Sequence, residues 1–334
     1  MKRAWAVAVG AVTAAALTVG TAEAQPKLLT NAQVDTHSAA AGLEGAFHAL
    51  LTAQPQPAWI GYAVPSVRVN VGCDYVNRDA FGQPGVIHLE PPAQAVILFR
   101  IEANAVDRVR TVSPDCEIDG GGVPMHWLND VNPAQSVALL AGFVGSGESN
   151  MSGAMNAIAV HEGAAADQAL DRFAAAGEPQ SVRLRAVSGL GWARGRHGFD
   201  VLKALIANDP DDRVCERAVS AVGSSKEPEA TDLLISIART GRTARVRAQA
   251  VGELARKPGP KILPALSQAL EDQDPQVQRR AVTALREVPD GGGIPLLIQV
   301  VKTSQDLQLR KDAMNSLRNS RDPRALAFFE DVLK

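Results

Sequence analysis

The chain has 334 residues, with 34 Lys and Arg against 36 Asp and Glu and a net charge of −2. Nucleic-acid binding rests on neutralising phosphates with a cationic surplus, so this balance argues against that class of partner. Hydrophobic residues make up 46% of the chain but aromatics only 4%, so Ala, Val and Leu must build the core, which suits closely packed helices.

At the N-terminus Lys2-Arg3 precede an apolar run over 4–19, and Ala22-Glu23-Ala24 supplies the small-x-small pattern that a signal peptidase accepts. Residues 1–24 are read as an export signal cleaved after Ala24, which predicts a periplasmic or secreted protein. The run is shorter than the ~20 residues that a membrane span needs, and no later apolar run is long enough for one. Three cysteines follow, Cys73, Cys116 and Cys215. In an oxidising compartment the first two, both in the nonrepetitive part, are natural disulfide partners, and Cys215 is left over.

The spacing of Val34, Leu43, Phe47, Leu50 and Leu51 predicts a helix over 31–53, stopped by Gln54-Pro55-Gln56-Pro57. From Ser66 to Tyr75 the period changes to two, with Val67, Val69, Val71, Cys73 and Tyr75 on one side, as in a half-buried strand. Further short strands are predicted over 59–64, 86–89, 96–101, 106–111 and 123–127, separated by Gly, Pro and Asn. These elements describe a small β-rich α+β domain over 25–130, arranged as an antiparallel sheet or an open barrel.

Asn132-Pro133 marks a helix start, with Asn as the cap and Pro at the first helical position, where its missing N–H is harmless. From there every apolar pattern is helical, and one phrase recurs. It reads Val182-Arg183-Leu184-Arg185-Ala186-Val187, and then returns around Ala218, Ala250, Ala281 and Ala313, about every 32 residues. One step further back lies Ala154. The residues four before and four after each alanine share its helical face, as in Val182/Ala186/Leu190 or Val277/Ala281/Leu285. A second apolar set follows in each unit, for example Val201/Leu202/Leu205/Ile206 and Ala265/Leu266/Ala269/Leu270, with Gly- and Pro-rich breakers in between. Each unit is therefore a helix pair. Asp211, Thr243, Asp274 and Asp306 stand where side-chain caps belong.

This phrase, its Asp caps and the arginine after the leading apolar residue (Arg183, Arg247, Arg310) resemble HEAT repeats of the short kind also seen in phycobilisome-lyase-like proteins. The resemblance covers 133–334 and implies a mainly α fold: a right-handed α-solenoid of HEAT-like helix pairs over 131–334, offering an extended concave surface. The unit is shorter than the usual ~40 to 47 residues, and Cys215 and Gln278 replace the arginine in two copies. The stretch 59–127 resembles the N-terminal part of exported bacterial HEAT proteins, which implies no activity.

Catalytic and metal signatures are weak. The stretch 115–120 starts like a calcium loop, but Glu117 takes the third position and His126 stands where a bidentate Glu is required; a strand leaving Cys116 and turning through Gly120-Gly121-Gly122 explains it better. The six histidines lack metal-ligand spacing, and ordinary surface or core roles account for them better than a composite site of His88, His126 and Asp119. Cys215 reads as a buried substitution for arginine. No cofactor or enzymatic activity is expected. Arg185, Arg217 and Arg280, with Gln249 between, each precede a marker alanine and should line one face of the stack. A solvated charged face is the simpler account of them; a groove for an acidic peptide or protein partner is the functional one. The sequence thus predicts a non-enzymatic, extracytoplasmic interaction scaffold. The alternatives are a lyase-like or cofactor-handling protein of the phycobilisome-lyase HEAT type, and a ligand-binding head with the solenoid as spacer.

Overall fold

The computed structural model describes residues 28–53, 57–67, 71, 73 and 92–332. The export-signal reading of 1–24, the strand over 86–89 and most of the strand over 66–75 lie outside them.

The N-terminal part holds strands β1 (Leu28–Thr30), β2 (Val34–Ser38), β3 (Ala58–Pro65), β4 (Gln94–Glu102), β5 (Ala105–Val112), β6 (Glu117–Asp119) and β7 (Met125–Asn129), with helix α1 (Leu43–Ala53) between β2 and β3. Strands β1 and β6 form a separate parallel pair, and the other five form one sheet in the order β2-β7-β3-β4-β5. The centre of β4 is apolar at consecutive positions because both faces are covered. Ile97, Phe99 and Ile101 meet Ile60, Tyr62 and Phe47 on one side, while Val96 and Leu98 meet Met125 and Trp127 on the other. Cys73 and Cys116 are joined by a disulfide, and Cys116 packs on this second side.

Two sequence expectations are corrected here. The helix over 31–53 starts only at Leu43, because Val34-Asp35-Thr36-His37-Ser38 pair along their whole length with β7 as an edge strand. Gly42, at φ 136°, makes the turn between the two elements. The sheet is mixed rather than antiparallel, since β7 returns between β2 and β3 and runs parallel to both. The β4–β5 hairpin has a local signal: Ala103 and Asn104, both at positive φ, form its two-residue turn. The placement of β7 is a long-range choice that alternation cannot encode.

Helix α2 (Pro133–Gly142) starts on Asn132, whose Oδ1 accepts from the N–H groups of Ala134 and Gln135. Six helix pairs follow among the described residues: α3 (Glu148–Val160) with α4 (Ala164–Ala174), α5 (Gln180–Ala193) with α6 (Gly195–Asn208), α7 (Asp212–Ser224) with α8 (Ala230–Thr240), α9 (Ala244–Leu254) with α10 (Ile262–Ala269), α11 (Pro275–Glu287) with α12 (Ile294–Thr303), and α13 (Leu307–Arg318) with α14 (Pro323–Val332). The marker alanines Ala154, Ala186, Ala218, Ala250, Ala281 and Ala313 are all fully buried, as are Leu170, Leu202, Leu234, Leu266 and Leu297 of the second helices. Asp211, Thr243, Asp274 and Asp306 each accept from a first-turn N–H of the following helix.

The first helices of the pairs, α3 to α13, lie against one another in a continuous layer. Small residues set that approach: a Cβ on Gly191 of α5 would come within 2.5 Å of Ala221 Cβ on α7. The sheet and the helices share one core. Helix α3 covers β5 so closely that a Cβ on Gly153 would stand 2.2 Å from the Val109 carbonyl oxygen. Asn150 Nδ2 donates to the Val106 carbonyl at 2.9 Å, and the Val67 N–H to that of Val160 at 2.9 Å. At the far end Phe328 is buried on the preceding helices, whereas Leu326 and Val332 are exposed.

Candidate interaction face of the solenoid

The phrase contributes two arginine positions per unit, and the structure gives them opposite environments. At Arg183 and Arg247 the position after the leading apolar residue turns inward, whereas Arg310 of the last unit is exposed. Arg183 is buried, donates to the Ala174 carbonyl at 3.0 Å and forms a very close ion pair with the buried Asp209. Arg247 grips Asp272 with Nε and Nη2, both at 2.8 Å, and also donates to the Gly241 carbonyl. That grip holds the Asp272 carboxyl below the usual carboxylate range.

In the intervening units both members change. Cys215 has Gly241 where the aspartate would be, and Gln278 has Ser304. The Gln278 side chain donates instead to the Asp272 carbonyl at 2.7 Å. Cys215 is fully buried, its thiol pushed up in pKa by that burial, and Arg242 of the next loop reaches over it to Asp212 and the Asp209 carbonyl. These groups tie consecutive units together from the inside.

The second position, just before the marker alanine, lies at the surface of the first-helix layer and leans back toward the preceding unit. Arg185 donates to Ser152 Oγ at 2.7 Å and to Glu148 Oε1 at 3.0 Å on α3. Gln249 Nε2 donates to Ser220 Oγ on α7 at 2.7 Å. The Arg280 guanidinium lies over Gly252 of α9, in space that a Cβ there would fill. Arg217 is exposed.

Three residues missed by the sequence reading join this face. Arg213 and Arg245 stand one turn before Arg217 and Gln249, and Arg279 precedes Arg280; the signal was their place in the repeat, four residues or one residue before the stripe. Two adjoining hollows result. One, of about 430 Å³, is lined by Arg213, Arg217, Ser220, Arg245 and Gln249, among others. The other, of about 350 Å³, shares Glu216, Arg245 and Gln249 with it and adds Gln276, Arg279, Arg280 and Thr283. Arg245 is paired with Glu216 at 2.7 Å, and Arg213 donates to the neutral Gln180 at 3.3 Å. Among the described residues no carboxylate pairs with Arg213, Arg217, Arg279 or Arg280. Of the sequence-predicted stripe, Arg217 and Arg280 thus line these hollows, and Arg185 is held by Glu148.

The other candidate groups are held in place by their neighbours. Glu117–Asp119 form β6, and Asp119 Oδ1 accepts from Asn31 and from the Gly121 N–H at the turn. His126 faces His37, Nδ1 to Nε2 at 3.2 Å, and is not brought to Asp119; burial pushes its pKa down. His88 lies outside the described residues. Among the described residues no group of three His, Cys, Asp or Glu side chains is placed to hold a metal ion. His161 is fully buried at the junction of sheet and helices, its ring between the Ala157 carbonyl at 2.7 Å and Ser136 Oγ at 2.9 Å, and Ser136 meets Tyr62 Oη at 2.8 Å. Arg194, also buried, pairs with Asp167 and donates to the Ala159, His161 and Gly163 carbonyls, closing the end of α3.

Residues 168–255 and 263–334 match the HEAT-repeat family model, and this part of the chain is a HEAT-repeat α-solenoid. No curated protein matches the chain in sequence. Among solved structures it is similar to the complex of CpcE and CpcF of phycocyanin lyase from Nostoc sp. PCC7120, at 18% identity and a TM-score of 0.36, over 46% of this chain and 98% of that one. The Escherichia coli protein YibA aligns at 16% identity and a TM-score of 0.40, over 60% and 78% of the two chains. A designed armadillo repeat protein in complex with the peptide (KR)4 aligns at 16% identity and a TM-score of 0.32, over 56% and 99%.

Proposed function

We propose that this protein is a non-enzymatic scaffold that works outside the cytoplasm and captures an acidic protein or peptide partner on the first-helix face of its solenoid. The observation that carries this reading is the pair of adjoining hollows in which Arg213, Arg217, Arg279 and Arg280 have no carboxylate partner among the described residues. Guanidinium groups take carboxylates in two parallel hydrogen bonds, so a face that leaves several of them unpaired is complementary to acidic side chains. A net charge of −2 for the whole chain makes that concentration on one face more pointed. Export is supported by the basic-apolar-small pattern of residues 1–24 and by the Cys73–Cys116 disulfide, a bond characteristic of oxidising compartments. No helix among the described residues is long and apolar enough to cross a membrane.

The test is affinity capture from native extracts with the intact protein and with a variant carrying Arg185→Ser, Arg217→Ser and Arg280→Ser together. These side chains lie outside the apolar core, so the variant should keep its circular dichroism and a cooperative melt, with a small drop in melting temperature from the lost Arg185–Glu148 contact, while losing the captured partner. Undiminished capture by a folded variant would remove the basic face from the account.

A further inference from the structure

The unpaired arginines are not spread evenly along the face. Among the arginines that line the two hollows, those without a carboxylate partner fall in two pairs, Arg213 with Arg217 on α7 and Arg279 with Arg280 on α11. Between them lies α9, where Arg245 is already neutralised by Glu216 and where Gln249 replaces the arginine of the stripe. Within these hollows the strongest demand for negative charge therefore falls at two places two units apart, with a polar, nearly neutral step between.

That spacing constrains the ligand. Helices packed side by side have axes about 8 to 10 Å apart, so α7 and α11 are separated by roughly 16 to 20 Å. A polyproline II chain advances about 3.1 Å per residue and a β-strand about 3.3 Å, so about six residues cover the upper part of that range. Six is a multiple of both side-chain periods, three for polyproline II and two for a strand. In either extended form, residues six apart point to the same side. A spacing of three residues reaches only the neutralised step at α9, and in a strand it turns the second side chain away.

Resting on the basic-face reading above, we infer that the partner segment is an extended acidic peptide with two carboxylate clusters about six residues apart, one on Arg213 and Arg217 and the other on Arg279 and Arg280. The residues between them cross Gln249 and need carry no charge.

The experiment uses the full chain and fluorescently labelled Ser/Pro peptides of identical composition. In one, two Glu-Glu pairs are six residues apart; in the others they are three apart, or the four glutamates are dispersed. Fluorescence anisotropy at low and high salt reads the affinities, and a single-stranded oligonucleotide serves as a competing polyanion. The six-residue peptide should bind about tenfold or more tightly than its isomers, as expected when one of the two carboxylate clusters no longer reaches its arginines. High salt should weaken that binding, as should Arg217→Glu with Arg280→Glu, while the Lys variants at both positions retain part of it. Equal affinity for all isomers would overturn the spacing and leave an acidic-peptide face standing. Failure of every peptide, binding indifferent to the Glu variants, or tighter binding of the oligonucleotide would overturn both.

Discussion

At the scale of single residues, the two arginine positions show how one repeated phrase serves two ends. Arg183 and Arg247 are satisfied inside the stack by Asp209 and Asp272. A buried ion pair is weak evidence for net stability, but removing one member strands a charge at a cost of about 3 to 5 kcal/mol. That asymmetry gives a physical reason for the joint change in the other units, where Cys215 faces Gly241 and Gln278 faces Ser304. A second buried polar group makes a pH prediction. With His161 neutral, Nδ1–H donates to Ala157, so Nε2 must accept from Ser136, which in turn accepts from Tyr62. Burial holds the His161 pKa down to about 4, from an ordinary value of 6.5. Its folded pKa is depressed, so the unfolded chain takes up the proton first as pH falls. The stabilisation is fully present above pH 6.5 and is lost on the way down to about pH 4. Between pH 7 and pH 5 the protein should lose about 2 kcal/mol of unfolding free energy through this group. Urea titrations of the wild type and His161→Gln at both pH values check this; equal pH slopes would remove His161 as the titrating group.

At the scale of elements, apolar spacing outweighs capping. Asp274→Ala removes the bond that the Gln276 N–H donates to Asp274 Oδ1 at the start of α11 and should cost about 1 kcal/mol. Leu266→Ala empties a fully buried site in α10 and should cost about 2 to 5 kcal/mol. Chemical denaturation of the two variants gives the order directly, and a larger loss for the cap would invert it. The same contrast explains what could be read from the sequence. Helix pairs were legible because the marker alanines repeat and every named cap acts within three residues of itself. The sheet was only partly legible. The β4–β5 hairpin is local, whereas β2 owes its strand to pairing with β7 across most of the head, which no window around Val34 contains. On the candidate face, Arg217 and Arg280 followed from periodicity. The Glu148 partner of Arg185 and the Glu216 partner of Arg245 did not, because they sit on other helices and depend on how far each side chain leans back.

At the scale of the whole molecule, head and solenoid are joined by more than a linker. Tyr62, Ser136 and His161 meet across the junction, α3 lies on β5 at Gly153, and one apolar core runs through both. The head thereby anchors the first unit of a stack whose inner arginines hold its layers together and whose outer arginines face solvent. The central claim is that a partner is held on the first-helix face. The direct measurement is site-specific photocrosslinking in native extracts. The photoreactive residue is placed at Gln276 or Thr283, which line the basic hollow, and for comparison at Lys203 or Lys302 on the second helices α6 and α12. The account predicts one crosslinked partner, enriched in Asp and Glu at the attachment point, from Gln276 and Thr283 and none from Lys203 or Lys302. Crosslinks confined to Lys203 and Lys302 would contradict it.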